Sequence, residues 1–315
     1  MTTHPKESVL IIKHGALGDI ILASGHIHAI RQHHPEAHIT CLTGRAYTSL
    51  MSLCPYIDEV WEDAKPRITN ISGCRALIAR LRSRRFDVVY DLQTSTRSNA
   101  YWWLMPTPKP RWSGIGRWVS HPQCSPERHS MHTTARLNDQ LRIAGIATDG
   151  TPAIDWLNAP TAQFALPSPY ALLVAGGSAH RPEKRWPVAR YIELAKKLVE
   201  HGIIPVLIGS GAEQTELQSI SDAIPQALNF CGKTTIPEIA SLARGAVWAL
   251  GNDTGPMHII AASGCPSTVL FSAVSSPTKS APQGGSVTCL QKDPLASLPA
   301  EEVWQSAPSV IHEGA

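Results

Sequence analysis

Short apolar, β-branched runs alternate along the chain with longer stretches whose apolar residues recur at helical spacing. That alternation marks βαβ units and therefore parallel sheets. The first run, 8–13, ends in the loop His14-Gly15-Ala16-Leu17-Gly18. A helix is predicted over 19–33, with Ile20, Ala23, Ile27 and Ile30 on one face and Pro35 beyond its end. Further strands are predicted at 38–43, 59–61 and 86–92. From 156 to 169 the pattern lapses into sequence punctuated by Pro160, Pro167 and Pro169, which reads as a linker. A second alternation follows, with strands at 170–175, 203–208, 246–250 and 267–271. Its helices are predicted at 188–201, 212–223, 236–243, 256–263 and 300–312.

The pattern predicts an α/β protein of two doubly wound, Rossmann-like domains. Residues 1–155 form the first and 170–315 the second, with a ligand cleft between the carboxyl ends of the two sheets. No sequence repeat relates the halves. A length of 315 residues agrees with two domains, and 43% hydrophobic with 17% charged residues excludes a disordered chain. A net charge of +3 suits anionic small molecules or a membrane surface and falls short of a nucleic-acid footprint.

The seven cysteines are scattered, odd in number and without a CxxC pair, as expected of reduced thiols rather than of disulfides or a zinc site. The opening residues lack the apolar core of a signal peptide, and no apolar run approaches the roughly 20 residues of a membrane span. A cytoplasmic location is expected. His26, His28, His33 and His34 fall within or at the end of one predicted helix, and no HExxH occurs, so no metal and no cofactor are expected.

Three loop segments carry candidate chemistry. In Lys13-His14-Gly15-Ala16-Leu17-Gly18-Asp19 the glycines allow close backbone approach, and Asp19 opens a helix. An aspartate there serves either as a plain cap or as a carboxylate facing a ligand. The loop is neither GxGxxG nor Walker A. The second predicted strand ends in Thr43-Gly44-Arg45, with no acid to hold a ribose, which disfavours a dehydrogenase. The second segment, Gly176 to Pro187, joins a strand to a helix and places Lys184 where an ammonium neutralises a diphosphate; otherwise it is a solvated loop. The third, Gly251-Asn252-Asp253-Thr254-Gly255-Pro256-Met257-His258, joins a buried strand to a helix started by Pro256. Amides of Thr254 and Gly255 then face an anion, helped by the helix dipole.

In this order and at these separations the three segments resemble glycosyltransferase family 9, the ADP-heptose:lipopolysaccharide heptosyltransferase family. The resemblance runs from Val9 to about Leu290 through Gly18-Asp19, the Lys-x-Trp-Pro of 184–187 and the Asp-Thr-Gly-x-x-His of 253–258. Asp91-Leu92-Gln93 with Arg97-Ser98 is similar to its acceptor-side loop. The resemblance implies a GT-B fold, Asp19 as general base, Lys184 with the Thr254 and Gly255 amides on the donor diphosphate, and Glu213 near the nucleoside. Asp253 and His258 shape the phosphate loop, and Gln93, Arg97 and Ser98 lie toward the acceptor. Two positions depart from the family's habit: Gly25, often Pro, and Ala179-His180, where Thr or Ser is common.

The reaction implied is transfer of a heptose-like sugar, without a metal and with inversion, from a nucleotide diphosphate sugar to a saccharide or lipid-linked saccharide acceptor. A GT-B nucleotide-sugar epimerase and a non-catalytic nucleotide-sugar binding protein are the alternatives. Arg75, Arg80, Arg82, Arg84 and Arg85, with no acid among them, form either a solvated basic face or a peripheral contact with anionic membrane.

Overall fold

The structure, a computed structural model, describes residues 6–177 and 180–312. Ser178 and Ala179, part of the second candidate segment, lie outside the described residues. The chain divides into two compact units, 1–156 and 157–315.

Unit 1 contains β1 (Ser8–Ile12), α1 (Leu17–His33), β2 (His38–Gly44), α2 (Thr48–Met51), β3 (Glu59–Asp63) and α3 (Ile71–Arg82). It continues with β4 (Val88–Asp91), α4 (Thr96–Leu104), β5 (Arg111–Gly114), β6 (His121–Pro122) and α5 (Thr133–Ile143). Its sheet is ordered β3-β2-β1-β4-β5-β6, and every pairing is parallel. Unit 2 contains β7 (Tyr170–Val174), α6 (Val188–Glu200), β8 (Ile204–Leu207), α7 (Gln214–Ala223), β9 (Leu228–Asn229) and α8 (Ile236–Gly245). Then come β10 (Trp248–Asn252), α9 (Gly255–Ala262), β11 (Ser267–Phe271), α10 (Pro277–Ser280), β12 (Val287–Gln291), α11 (Ala300–Trp304) and α12 (Ser309–His312). Its order, β12-β11-β10-β7-β8-β9, is the same doubly wound arrangement.

Central strands of such sheets are covered on both faces, so they read as unbroken apolar runs. Val9 to Ile12 and Ala171 to Leu173 are accordingly fully buried. α1 is buried on more than one face: Ile21 and Leu22 are as inaccessible as the periodic Ile20, Ala23, Ile27 and Ile30. The core of unit 1 gathers around Leu10, Ile12, Trp61, Val89 and Trp112, and that of unit 2 around Trp186, Tyr191, Leu194 and Trp248.

Several expectations are corrected. The helix predicted over 300–312 is two short helices, because Pro308 has no N–H to continue the ladder. β5, β6, β9 and β12 and the helices α4 and α5 were not anticipated. β6, β9 and β12 are short or half-polar edge strands and β5 is a four-residue strand with two polar or charged positions, so their sequences carry little of a buried strand's signal. The stretch 156–169 is tied onto unit 2: Arg244 donates to the Leu157 carbonyl at 2.8 Å and the Ala159 amide to Ser241 Oγ at 2.9 Å. Gly25 lies so close to the loop after α5 that a Cβ would sit 2.0 Å from the Thr151 carbonyl oxygen. This chain therefore needs glycine there.

The arginine run is partly structural. Arg84 donates to Glu59 Oε2 at 2.7 Å and to Thr40 Oγ1 at 3.0 Å, and Arg80 and Arg84 both lie over Trp61. Burial pushes the Glu59 carboxyl up, but hydrogen bonds from Trp61, His38 and Arg84 outweigh it and hold the group down at about 2. The stability this network contributes is therefore present above a pH of about 4.5, the ordinary value, and lost as pH falls through about 2. Thermal melts of Glu59→Gln against the parent should show a deficit constant above that range and vanishing toward pH 2. Partial exposure keeps the deficit near 1 kcal/mol or less.

Candidate active site

In each unit the first and fourth strands lie side by side while their following helices leave to opposite faces, so the loops at their carboxyl ends open a crevice. In unit 1 these are the loops after β1 and β4. In unit 2 they are the loops after β7 and β10. All three candidate segments fall there.

Asp19 does not open α1. Ala16 is the cap residue and Asp19 stands in the first turn, its Oδ2 accepting from the Ala16 amide at 3.3 Å. A carboxylate in that turn is favoured by the helix dipole. The loop before it is anchored by the His14 amide, which donates to Gln93 Oε1 at 2.9 Å. His14 Nε2 lies 2.8 Å from Asp63 Oδ2, with both side chains at 4% exposure or less, and Tyr101 donates to the same oxygen at 2.6 Å. Gly15 has φ +123° and abuts Tyr47, a position closed to any side chain.

Sequence reasoning missed a cationic group around Asp19. Lys13 is buried and donates to the Leu92 carbonyl at 3.2 Å. Burial lowers its pKa, and the charges of Asp19 and Asp91 raise it against that of Arg136. Arg128 is buried as well, with Nε and Nη2 lacking hydrogen-bond partners among the described residues. Burial also lowers the Arg136 pKa, and Asp19 opposes it. Asp91, fully buried, takes the amides of Gln93 and Thr94 on Oδ1, and burial nevertheless pushes it up to about 6. Nothing in the local spacing of 128 and 136 signals this, since they meet only through folding.

The three acceptor-side residues separate. Gln93 stays with the Asp19 loop. Ser98 is buried in the cap of α4, paired with Ser95. Arg97 turns toward α3 and donates to the Pro66 carbonyl at 3.1 Å.

In unit 2 Asn252 fastens the other two segments to each other. Its Nδ2 donates to the carbonyls of Ala175 and Gly176 at 3.0 and 2.9 Å, and its Oδ1 accepts the Trp186 amide at 3.0 Å. Trp186, fully buried, donates its indole N–H to the Leu298 carbonyl at 2.9 Å. Lys184 is thereby delivered to the end of β10, where its Nζ is 2.7 Å from Asp253 Oδ2, the two side chains only 13% and 11% exposed. Thr254 caps α9 with extended backbone, and Gly255 begins the helix. His258 is buried one turn on. Arg185 binds Glu216 Oε1 at 2.6 Å and the Gly177 carbonyl at 2.7 Å.

Beside this assembly lies a cavity of about 390 Å³, lined by Gly176, Gly177, Gly209, Glu213, Thr254 and Pro256 among others. That volume suits a nucleoside-sized ligand. Glu213 Oε2 accepts from the Ser210 amide and hydroxyl at 2.8 and 2.5 Å, which fixes the carboxylate at the cavity wall. A Cβ on Gly176 would fall 2.6 Å from Glu213 Cγ, so glycine is needed for that approach. Thus a carboxylate and a helix N-terminus line one cavity, and the Lys184 ammonium is held at Asp253, the residue before Thr254, an arrangement suited to a nucleoside diphosphate. Among the described residues no group of three His, Cys, Asp or Glu side chains is arranged to hold a metal.

Comparison with known proteins agrees with this chemistry. Residues 74–305 match the model of glycosyltransferase family 9 (heptosyltransferase). The lipopolysaccharide core heptosyltransferase OpsX of Haemophilus influenzae is 25% identical over 303 residues, 89% of this chain and 83% of that protein. The family 9 glycosyl transferase of Veillonella parvula superposes with a TM-score of 0.78 at 20% identity, covering 98% of this chain and 97% of that one. The Escherichia coli heptosyltransferase WaaC with ADP-2-deoxy-2-fluoro heptose gives 0.75 at 20% identity, over 98% of this chain and all of that one (100%). The chain belongs to glycosyltransferase family 9, the heptosyltransferases, and is a glycosyltransferase with the GT-B fold.

Proposed function

We propose that the protein transfers heptose from ADP-heptose to a lipopolysaccharide-type saccharide, by a single inverting displacement that needs no metal. The observation that carries this reading is that Glu213 and the start of α9 at Thr254 line one cavity, while Lys184 is held at the adjoining Asp253. Departure of the diphosphate builds negative charge, and the Lys184 ammonium with the α9 N-terminus stabilises it where it forms. The donor sugar and the class of acceptor follow from the relatives, among them a heptosyltransferase solved with an ADP-heptose analogue and a lipopolysaccharide core heptosyltransferase.

Asp19 is the general base that takes the proton of the attacking hydroxyl. Lys13, Arg128 and Arg136 around it suit an acceptor with an acidic group, because guanidinium nitrogens withdrawn from water need an anionic partner. A lipopolysaccharide-type acceptor is lipid-linked, so this reading has the enzyme working in the cytoplasm at the membrane surface.

Incubation with ADP-heptose should give ADP only when acceptor is present; turnover of the nucleotide sugar alone would favour an epimerase. Asp19→Ala should lower transfer about a hundredfold to ten-thousandfold with ADP affinity unchanged. Wild-type turnover in that variant would reduce Asp19 to a helix-turn residue.

Lys184→Ala should weaken ADP by about 1.5–3 kcal/mol and adenosine hardly at all, as titration calorimetry would report. Its partner sharpens the test. Without the ammonium, Asp253 faces the diphosphate as a bare carboxylate, so adding Asp253→Asn should restore part of the loss. Equal losses for adenosine and ADP would indicate damage to the fold instead. Transfer should also persist in EDTA, and a strict requirement for Mg²⁺ or Mn²⁺ would overturn the metal-free mechanism.

A further inference from the structure

Unit 1 carries an apolar groove of about 540 Å³ between α3 and α4, lined chiefly by Pro66, Ile68, Leu77, Ile78, Ala100 and Leu104. Ile68 is 90% exposed, and Ile71, in the first turn of α3, is 65% exposed. Apolar surface of this extent, left in water, marks a place where something binds. Along this segment the charge is of one sign. Residues 64–85 contain Lys65, Arg67, Arg75, Arg80, Arg82, Arg84 and Arg85 and not one aspartate or glutamate.

Three of these cations are committed within the unit: Arg80 and Arg84 over Trp61, and Arg82 by a 2.9 Å hydrogen bond to the Leu104 carbonyl. Arg67, Arg75 and Arg85 are exposed, and their guanidinium groups make no hydrogen bond or ion pair among the described residues. On α4, Trp103 is also exposed, with its ring 5.6 Å from that of Trp118.

We infer that this groove and its rim are a docking surface for a bilayer containing anionic lipid. Ile68 and Ile71 enter the boundary between headgroups and acyl chains, and Arg67, Arg75 and Arg85 meet lipid phosphates. The charge selects this occupant. A second copy of the chain would bring the same seven cations against these seven, and a free saccharide would meet a lining that is apolar apart from Cys74, Thr96, Arg97 and Tyr101. The inference deepens the reading of a lipid-linked acceptor and rests on it for its purpose, while the binding itself is measurable without any substrate.

The test is flotation of the full chain with vesicles of phosphatidylcholine, alone or mixed with phosphatidylglycerol, at low and high salt. The parent should float with the mixed vesicles at low salt and stay behind with phosphatidylcholine alone. Arg67→Gln and Arg75→Gln should each lower the partition coefficient about fivefold. Ile68→Ser with Ile71→Ser should lower it about tenfold or more. Both isoleucines are exposed, so melting temperature and ADP affinity should be unchanged.

No flotation of the parent, equal binding to both vesicle types, or undiminished binding of the isoleucine pair would each overturn the docking surface. Transfer to an acceptor stripped of its acyl chains separates this from the proposed reaction. Transfer without flotation rejects only the docking surface, and flotation without transfer rejects only the reaction.

Discussion

Each unit depends on one pairing, that of its first strand with its fourth: β1 with β4, and β7 with β10. Both strands run parallel, and the chain leaves them toward opposite faces of the sheet. Their carboxyl ends therefore share an opening that no helix covers. The loops that line it must satisfy their polar groups through side chains. In unit 1 this falls to Gln93 and Lys13, which tie the β1 and β4 loops together. In unit 2 it falls to Asn252, which holds three backbone groups of the β7 loop.

The two openings have taken opposite chemistry. That of unit 1 holds carboxylates, Asp19, Asp63 and Asp91, interleaved with cations drawn from distant parts of the chain. Burial raises Asp91 to about 6 even though two amides bind it, a measure of how strongly the site is withdrawn from water. That of unit 2 is built for anions: a helix begins at Thr254, an ammonium lies beside it, and glycines let the backbone approach. The Lys184–Asp253 pair leaves neither charge alone in a place largely withdrawn from water.

The basic run on α3 shows how one composition serves two purposes. Arg80, Arg82 and Arg84 brace β3 and the end of α4, so they belong to the fold. Arg67, Arg75 and Arg85 stay exposed on the segment whose Ile68, Leu77 and Ile78 line an apolar groove. A count of arginines cannot separate these groups, because the difference lies in what each guanidinium meets.

The sequence by itself determined the βαβ alternation, the two-unit organisation and the three loop segments. Each rests on local signals, namely apolar runs, helical period, and glycine or proline at element ends. It also determined the family, since the Lys-x-Trp-Pro and Asp-Thr-Gly-x-x-His segments are contiguous. Only the tertiary structure decided β5, β6, β9 and β12, which are too short or too polar to show a clear period. It decided that Asp19 lies within the first turn of α1, because a cap is defined by backbone angles and not by residue type. It decided that Ser98 closes the capping box of α4 with Ser95 and that Arg97 faces the groove, although the two are neighbours in sequence, since successive helical positions point about 100° apart. And it brought Arg128 and Arg136, each more than a hundred residues beyond Asp19, into the surroundings of Lys13, Asp19 and Asp91, a convergence that no local spacing encodes.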